Sequence, residues 1–386
     1  MSQRYVIIGA GRQGTAAAYD LAHLGDASRV VLADARLEVA QRAAARVNRL
    51  LQRDVAEAVR VDAGNDAALR ALVRGANVVL SAVTYYFNVA ISEACIAAGA
   101  SLCDMGGNTD VVWAQLRLDG AARAAGVSIV PDCGMGPGLI NNMGVYVMDL
   151  LDRPREVLLY DGCVPQRPQP PWNYQLTFHV NGLTNEYDGD ATFIRDGKLT
   201  QVPTFTECET MDFGRLGTFE SFVISGSMST TPQTHLGRLE RYESKVLRYP
   251  GHFATFEAYK RLGLFSEEPV TIEGQEVVPR KLYHHLLDPK ITAAQIEDIC
   301  IMRAVGIGEK EGHAARVTVD LVDRYDPVTG FTGMERLTGW HCAIMMAKQA
   351  AGSVPPGAHR MELAVPAADI MHAFERRQIT HTVRWD

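Results

Sequence analysis

Apolar and polar positions over the first 133 residues repeat one unit: a short aliphatic run, a turn, then an amphipathic stretch closing on glycine. "YVIIG" from Tyr5 reads as a strand, and "TAAAYDLAHLG" as a helix ending at Gly25. "RVVLAD" follows, ending at Asp34, then "AVRVDA" at 58–63 with a helix to Gly75 and "NVVLSAV" at 77–83 with a helix to Gly99. "SLCDM" at 101–105 with a helix to Gly126, and "VSIVPD" at 127–132, complete the series. Six strands separated by helices predict a doubly wound parallel sheet, the Rossmann form of an α/β fold.

From about Glu156 the pattern changes to alternating stretches rich in Tyr, Phe and Thr, joined by Gly, Pro and Asp turns. "NYQLTFHVNGL", "FESFVISG" and "ESKVLRYPGH" read as strands, and "ICIMRAVGIGE" with "AARVTVDLVDRYD" as a hairpin. Hairpin connectivity predicts an α+β domain with a mixed or antiparallel sheet and few helices. After the "DPVTG" turn, "GWHCAIMMAKQAAG" and "PAADIMHAFERRQI" read as helices that return to the first domain and cover its sheet. The expected division is 1–133 for the dinucleotide domain, 134–335 for a substrate and dimerisation domain, and 336–386 for the C-terminal segment completing the first domain.

The first turn carries Gly9, Gly11, Arg12, Gln13 and Gly14 between strand and helix. Gly9 allows the tight turn, Gly11 lets backbone approach a pyrophosphate, and Gly14 lets helix and strand pack while the helix N-terminus faces the anion. Asp34 lies 34 − 14 = 20 residues beyond, the spacing at which a carboxylate reaches the adenosine ribose. It predicts NAD as cofactor; Arg36, two residues later, keeps NADP open. Ligands in such sheets lie beyond the carboxyl ends of the strands, so Asp62, Ala82, Val83, Tyr85, Asp104, Met105, Gly106, Asp132 and Gly134 are crevice candidates. Helix capping is the alternative for Asp62 and Asp132.

Lys+Arg 38 against Asp+Glu 45, a net charge of −7, supplies no basic excess for nucleic acid. No apolar run reaches bilayer length, and a strand beginning at Tyr5 leaves no room for a leader, so a cytoplasmic protein without a membrane partner is expected. Seven scattered cysteines, with neither C-x-x-C nor H-E-x-x-H, predict reduced thiols and no metal. Cys133, in "DCGMGPGLIN" (132–141), reads as a small buried filler whose backbone lines the pocket, and Pro137 suits the first turn of the next helix.

"VIIGAGRQG", "LSAVTYYFN", "DMGGNTD", "DCGMGPGLIN" and "RYPGH" together resemble the saccharopine reductase-like family, and within it the L-lysine 6-dehydrogenases. The resemblance spans nearly the whole chain, including "TFHVNGLTNEYDGDATFIRDGKLTQVP" and "SGSMSTT". It implies NAD-dependent oxidation of the ε-carbon of lysine, release of ammonia, and a semialdehyde that cyclises to piperideine carboxylate. It also implies a homo-oligomer, a dimer or larger, paired through the second domain. Saccharopine reductases tend to carry an acid in the G-x-D-P-G turn; here that position is Gly136, similar to the Ala or Gly of the lysine dehydrogenases, which argues against saccharopine as substrate.

Hydride loss from a carbon bearing nitrogen needs the amine neutral, and a lysine ε-amine, with a reference pKa of about 10.4, arrives protonated. A base is therefore required. Tyr85, Asp104 and His252 are the catalytic candidates. Tyr85 serves as wall or substrate ligand, Asp104 as ammonium acceptor or loop cap, and His252 as base or turn residue. Arg248 is placed to receive the substrate carboxylate bidentately, against a structural ion pair, and Asn181, Lys245 and His179 are lesser candidates. Other readings keep the fold but take ornithine, a diamine or an opine, or make the chain a non-enzymatic dinucleotide sensor.

Overall fold

The computed structural model describes residues 3–386. Strands β1 (Gln3–Ile8), β2 (Ala27–Asp34), β3 (Ala56–Arg60), β4 (Val78–Ser81), β5 (Ser101–Asp104) and β6 (Ser128–Val130) are all parallel. Aliphatic residues fill both faces of β1, with Val6, Ile7 and Ile8 at 1% exposure or less. Such strands need cover on both sides, which the intervening helices supply.

The second sheet is mixed and has nine strands. Its members are β7 (Arg153–Pro165), β8 (Asp190–Arg195), β9 (Lys198–Pro203), β10 (Glu209–Asp212), β11 (Thr218–Val223) and β12 (Arg241–Arg248), then, after a separate hairpin β13 (Val270–Ile272) and β14 (Gln275–Val277), β15 (Asp298–Lys310) and β16 (His313–Arg324). β15 and β16 form the long hairpin anticipated from their alternation, and β12 runs parallel to β7.

Two expectations fail in this region. "NYQLTFHVNGL" is not a strand: after Tyr174 and Leu176 the buried positions shift to Val180, Leu183, Thr184 and Tyr187, a helical spacing, and Val180–Glu186 is a helix capped by His179 Nδ1 accepting from Asn181 N–H at 3.1 Å. The domain also holds more helix than expected, in His252–Arg261 and Pro279–Ile291. Gly251, at φ 91°, turns the chain out of β12 directly into the first of these.

The C-terminal segment is shared between the sheets. Thr332 and Glu335 form a capping box and Asp298 accepts from Gly333 and Met334 N–H at 2.7 and 2.8 Å, so the helix Gly333–Ala350 starts with its amides satisfied. It crosses the helix Arg12–Leu24 so closely that a Cβ on Gly339 would lie 2.7 Å from the Gln13 carbonyl oxygen. This helix and Leu139–Leu150 lie between the two sheets and give the domains one continuous apolar core. β17 (Gly357–Ala358) then adds to β6, giving the first sheet the order β17-β6-β5-β4-β1-β2-β3. β18 (His381–Trp385) goes the other way and pairs with β16, so the last segment completes both sheets rather than the first alone.

Candidate active site

The carboxyl ends of β1 to β6 face the second domain across a cleft. On the first wall Gly9 has φ 101°, and a Cβ there would meet Ala82 O at 2.4 Å; a Cβ on Gly14 would meet Gly9 O at 2.0 Å. Gly11 borders open space and caps the helix Arg12–Leu24, beside exposed Arg12 and half-buried Gln13. Bare backbone and free helix-terminal amides suit a pyrophosphate. Asp34 accepts from Ala10 N–H at 3.1 Å and from Arg36 N–H at 3.0 Å, which fixes its carboxylate at the carboxyl end of β2. Arg60 lies on the same edge, with Nε donating to Ala35 O at 3.2 Å. Asp62 is exposed and accepts from Gly64 N–H, while Asn65 caps the next helix. Ala82 is tied to β1 through Ile8 O at 2.7 Å, with Val83 against Gly9.

Tyr85 opens a short 3-10 turn, packs beside Gly107 and shares a hydrogen bond with exposed Tyr86 at 3.1 Å; burial pushes its hydroxyl up to about 12. Asp104 is fully buried and accepts from Gln115 Nε2 at 2.7 Å, Gly106 N–H at 2.8 Å and Asp132 N–H at 3.3 Å. Burial raises its pKa, and those donors oppose the rise. With its oxygens spent on the loops, Asp104 positions the crevice backbone, including half-buried Met105, rather than reaching a substrate proton. Asn108, not Asp104, caps the "GGNTD" helix.

The turn "DCGMGPG" is pinned from the C-terminal helix. His341 Nδ1 faces Cys133 O at 2.9 Å and its Nε2 faces the Asn142 amide at 2.8 Å; burial holds this imidazole neutral, down at about 4. Cys133 is buried, and burial raises its thiol to about 11, so it fills space. Asp132 adopts φ 63° and is 4% exposed; its Oδ1 has no hydrogen-bond partner among the described residues, and burial raises its carboxyl to about 8. Ser229 of the second domain approaches it, beside a cavity of about 40 Å³ lined by Thr109, Ser227 and Ser229.

The second wall is made of ionisable side chains. Asp161 on β7 lies against the turn: a Cβ on Gly136 would be 2.6 Å from its Oδ2, while its Oδ1 has no partner. Burial raises it to about 6 against the pull of Arg248. Glu186, raised to about 7 by burial, ends the helix Val180–Glu186 and keeps about a quarter of its side chain exposed. Arg248 on β12 donates from Nε to the Tyr187 hydroxyl at 3.0 Å and from an Nη to Glu186 at 3.2 Å, and lies over the Tyr174 ring at 5.2 Å.

His252 is buried in this network. Its Nε2 meets the Tyr187 hydroxyl at 2.9 Å, its Nδ1 meets Trp172 O at 3.4 Å, and it stacks on Phe256 at 4.1 Å. Burial, then Arg248, hold its pKa well below the ordinary value. Trp172 O can only accept, so Nδ1 carries the ring proton and Nε2 accepts from the Tyr187 hydroxyl, which itself accepts from Arg248. His252 therefore orients Tyr187 and is not a free base, in contrast to the expectation from "RYPGH". Asn181 lies exposed, and Lys245 faces the opposite side of β12 with Glu209 at 3.0 Å. Asp132, Asp161 and Glu186, absent from the expected catalytic set, supply acids to the cleft. Among the described residues one buried group has metal-ligand composition, Cys163, Asp298 and Cys300; the Asp298 oxygens are committed to the helix amides at Gly333 and Met334.

Family models for the saccharopine dehydrogenase NADP binding domain and the saccharopine dehydrogenase C-terminal domain match residues 5–130 and 134–379. The chain belongs to the saccharopine dehydrogenase family. Among family relatives, carboxynorspermidine synthase of Vibrio cholerae is 24% identical over 81% of this chain and 79% of its own length. Saccharopine dehydrogenase [NADP(+), L-glutamate-forming] of Pyricularia oryzae is 23% identical over 54% of this chain, which covers 48% of that enzyme. The apo saccharopine dehydrogenase (L-Glu forming) of Saccharomyces cerevisiae shares the fold along the entire length of both chains, with a TM-score of 0.81 at 17% identity. A nicotinamide dinucleotide thus fits this family member's first wall. No helix among the described residues is long and apolar enough to cross a membrane.

Proposed function

We propose that this family member oxidatively deaminates a basic amino acid, L-lysine at its ε-carbon, with NAD as hydride acceptor. The observation that carries the reading is the make-up of the site: three acids, Asp132, Asp161 and Glu186, each raised by burial so that an arriving ammonium would favour its ionised form, against one cation, Arg248. Such a wall favours an ammonium-rich substrate and disfavours one bearing several carboxylates.

Asp132, poised near pH 8 at the end of β6, takes the proton that the ε-ammonium must lose before its carbon gives up hydride. The bound dinucleotide supplies the hydride acceptor. Asp104 and His341 hold the Asp132 turn in place, and Tyr85 walls the reacting carbon. Water then adds to the substrate iminium and nitrogen leaves as ammonium, giving the semialdehyde, with one further proton released overall.

Asp34 at the ribose edge supports NAD; Arg36 and Arg60 on the same edge support NADP as the second reading. The test is absorbance at 340 nm with lysine, ornithine, diamines and saccharopine, each with NAD and NADP, across neutral to alkaline pH. Lysine-dependent turnover with stoichiometric ammonia is expected. Faster turnover of saccharopine would overturn the charge argument, and dinucleotide binding without turnover of any amine would make the protein a sensor.

A further inference from the structure

Asp161 on β7 and Arg248 on β12 lie on the same face of the mixed sheet, 6% and 3% exposed, and no ion pair joins them among the described residues. Arg248 spends three N–H groups on Tyr187, Leu247 O and Glu186, while Asp161 Oδ1 has no partner among the described residues. A buried carboxylate left beside a buried guanidinium without contact is costly, since each forgoes the partner that would offset its desolvation. The two stay unpaired because each side is anchored. β7 and β12 run parallel in fixed register with Lys245 opposite Tyr160 and Val246 opposite Asp161, while the Arg248 head is drawn toward Glu186 and Tyr187.

We infer that Asp161 and Arg248 together read the α-amino-acid head of the substrate, ammonium on Asp161 and carboxylate on Arg248. The inference rests on the amine-dehydrogenase reading and deepens it by requiring a zwitterion at the non-reacting end. It also accounts for Gly136. Any side chain there begins 2.6 Å from Asp161 Oδ2 and pushes the acid out of the turn, so the residue at 136 must be the smallest one for Asp161 to keep its place. Asp161 and Gly136 act as one specificity element drawn from β7 and the turn after β6.

Three amines of equal chain length test it: L-lysine, 6-aminohexanoate, which lacks the α-amine, and cadaverine, which lacks the α-carboxylate. The wild type should prefer lysine to each analogue by about 10- to 100-fold in kcat/KM, the value of one charge-assisted contact. Asp161→Asn should lose about that factor for lysine and leave 6-aminohexanoate unchanged, with KM moving and NAD affinity constant. Gly136→Ala should reproduce the pattern more weakly. Equal losses for lysine and 6-aminohexanoate in Asp161→Asn, or a wild type that accepts cadaverine as well as lysine, would overturn the inference. If the variant fails to fold, the wild-type ranking alone decides. Should the reacting chain prove to be ornithine's, the same comparison runs with 5-aminopentanoate and putrescine, so an error in chain length stays distinct from an error in head recognition.

Discussion

The two walls of the cleft are built from different materials. The dinucleotide wall is mostly backbone: Gly9, Gly11 and Gly14 bring amides and empty space to one line, and its principal side chain, Asp34, is held by two amides. The opposite wall is side chain throughout, with Asp161, Glu186 and Arg248 carried by three separated segments and tuned by burial. A backbone site fails when volume is added, whereas an ionisable site fails when charge or pH changes.

The largest effect should come from adding volume to the first wall. Gly14→Val places a branched side chain against Gly9 O and should weaken dinucleotide binding on the order of 100-fold by titration calorimetry. Binding within a few fold of wild type would break the comparison. Next, Asp34→Ala should cost NAD about 10-fold in affinity and NADP much less, the range of one charged hydrogen bond. Equal losses would remove Asp34 from the ribose.

A smaller effect, of opposite sign, is expected on the ionisable side. Asp132 rises from 3.8 to about 8 on folding, so between those values the native state binds the extra proton and stability falls as pH rises through about 8. Asp132→Asn, isosteric and tolerant of positive φ, should remove this slope: about 1–3 kcal/mol more stable than wild type at pH 9 relative to the difference at pH 5, by denaturant melts. The same variant should lose the alkaline rise in kcat. A parallel pH dependence of both proteins would mean that Asp132 ionises freely. The smallest change is expected for His252→Gln, which keeps a polar group beside Tyr187. KM should move by less than about 5-fold, one neutral hydrogen bond, and the pH profile should not shift. A displaced profile would restore His252 as the base.

The difference between the walls also explains what could be read from the chain. Glycine spacing and strand-ending carboxylates are local, so β1 to β6, the glycine turn between β1 and its helix and the place of Asp34 at the end of β2 were legible. The long hairpin was legible for the same reason. Asp161 sits unmarked in the alternation of β7, and its importance comes from Gly136 and Arg248, 25 residues before it and 87 after. His252 misled because Pro250-Gly251 signals a surface turn, whereas Gly251 starts a helix that buries the imidazole. "NYQLTFHVNGL" misled because a period of two over Tyr174 and Leu176 continues into helical spacing within a few residues.

The chain passes between the sheets three times: after β6, between β16 and the helix Gly333–Ala350, and again before β18. The halves are therefore not interchangeable cassettes. Grafting another cofactor preference onto this substrate wall requires two fragments moved together, one ending near Pro131 and one from Thr332 to about Ile379, with Gly339 retained so that the helices of donor and host can still cross. A recombinant joined at a single point would carry the nucleotide turn of one parent under the covering helix of the other.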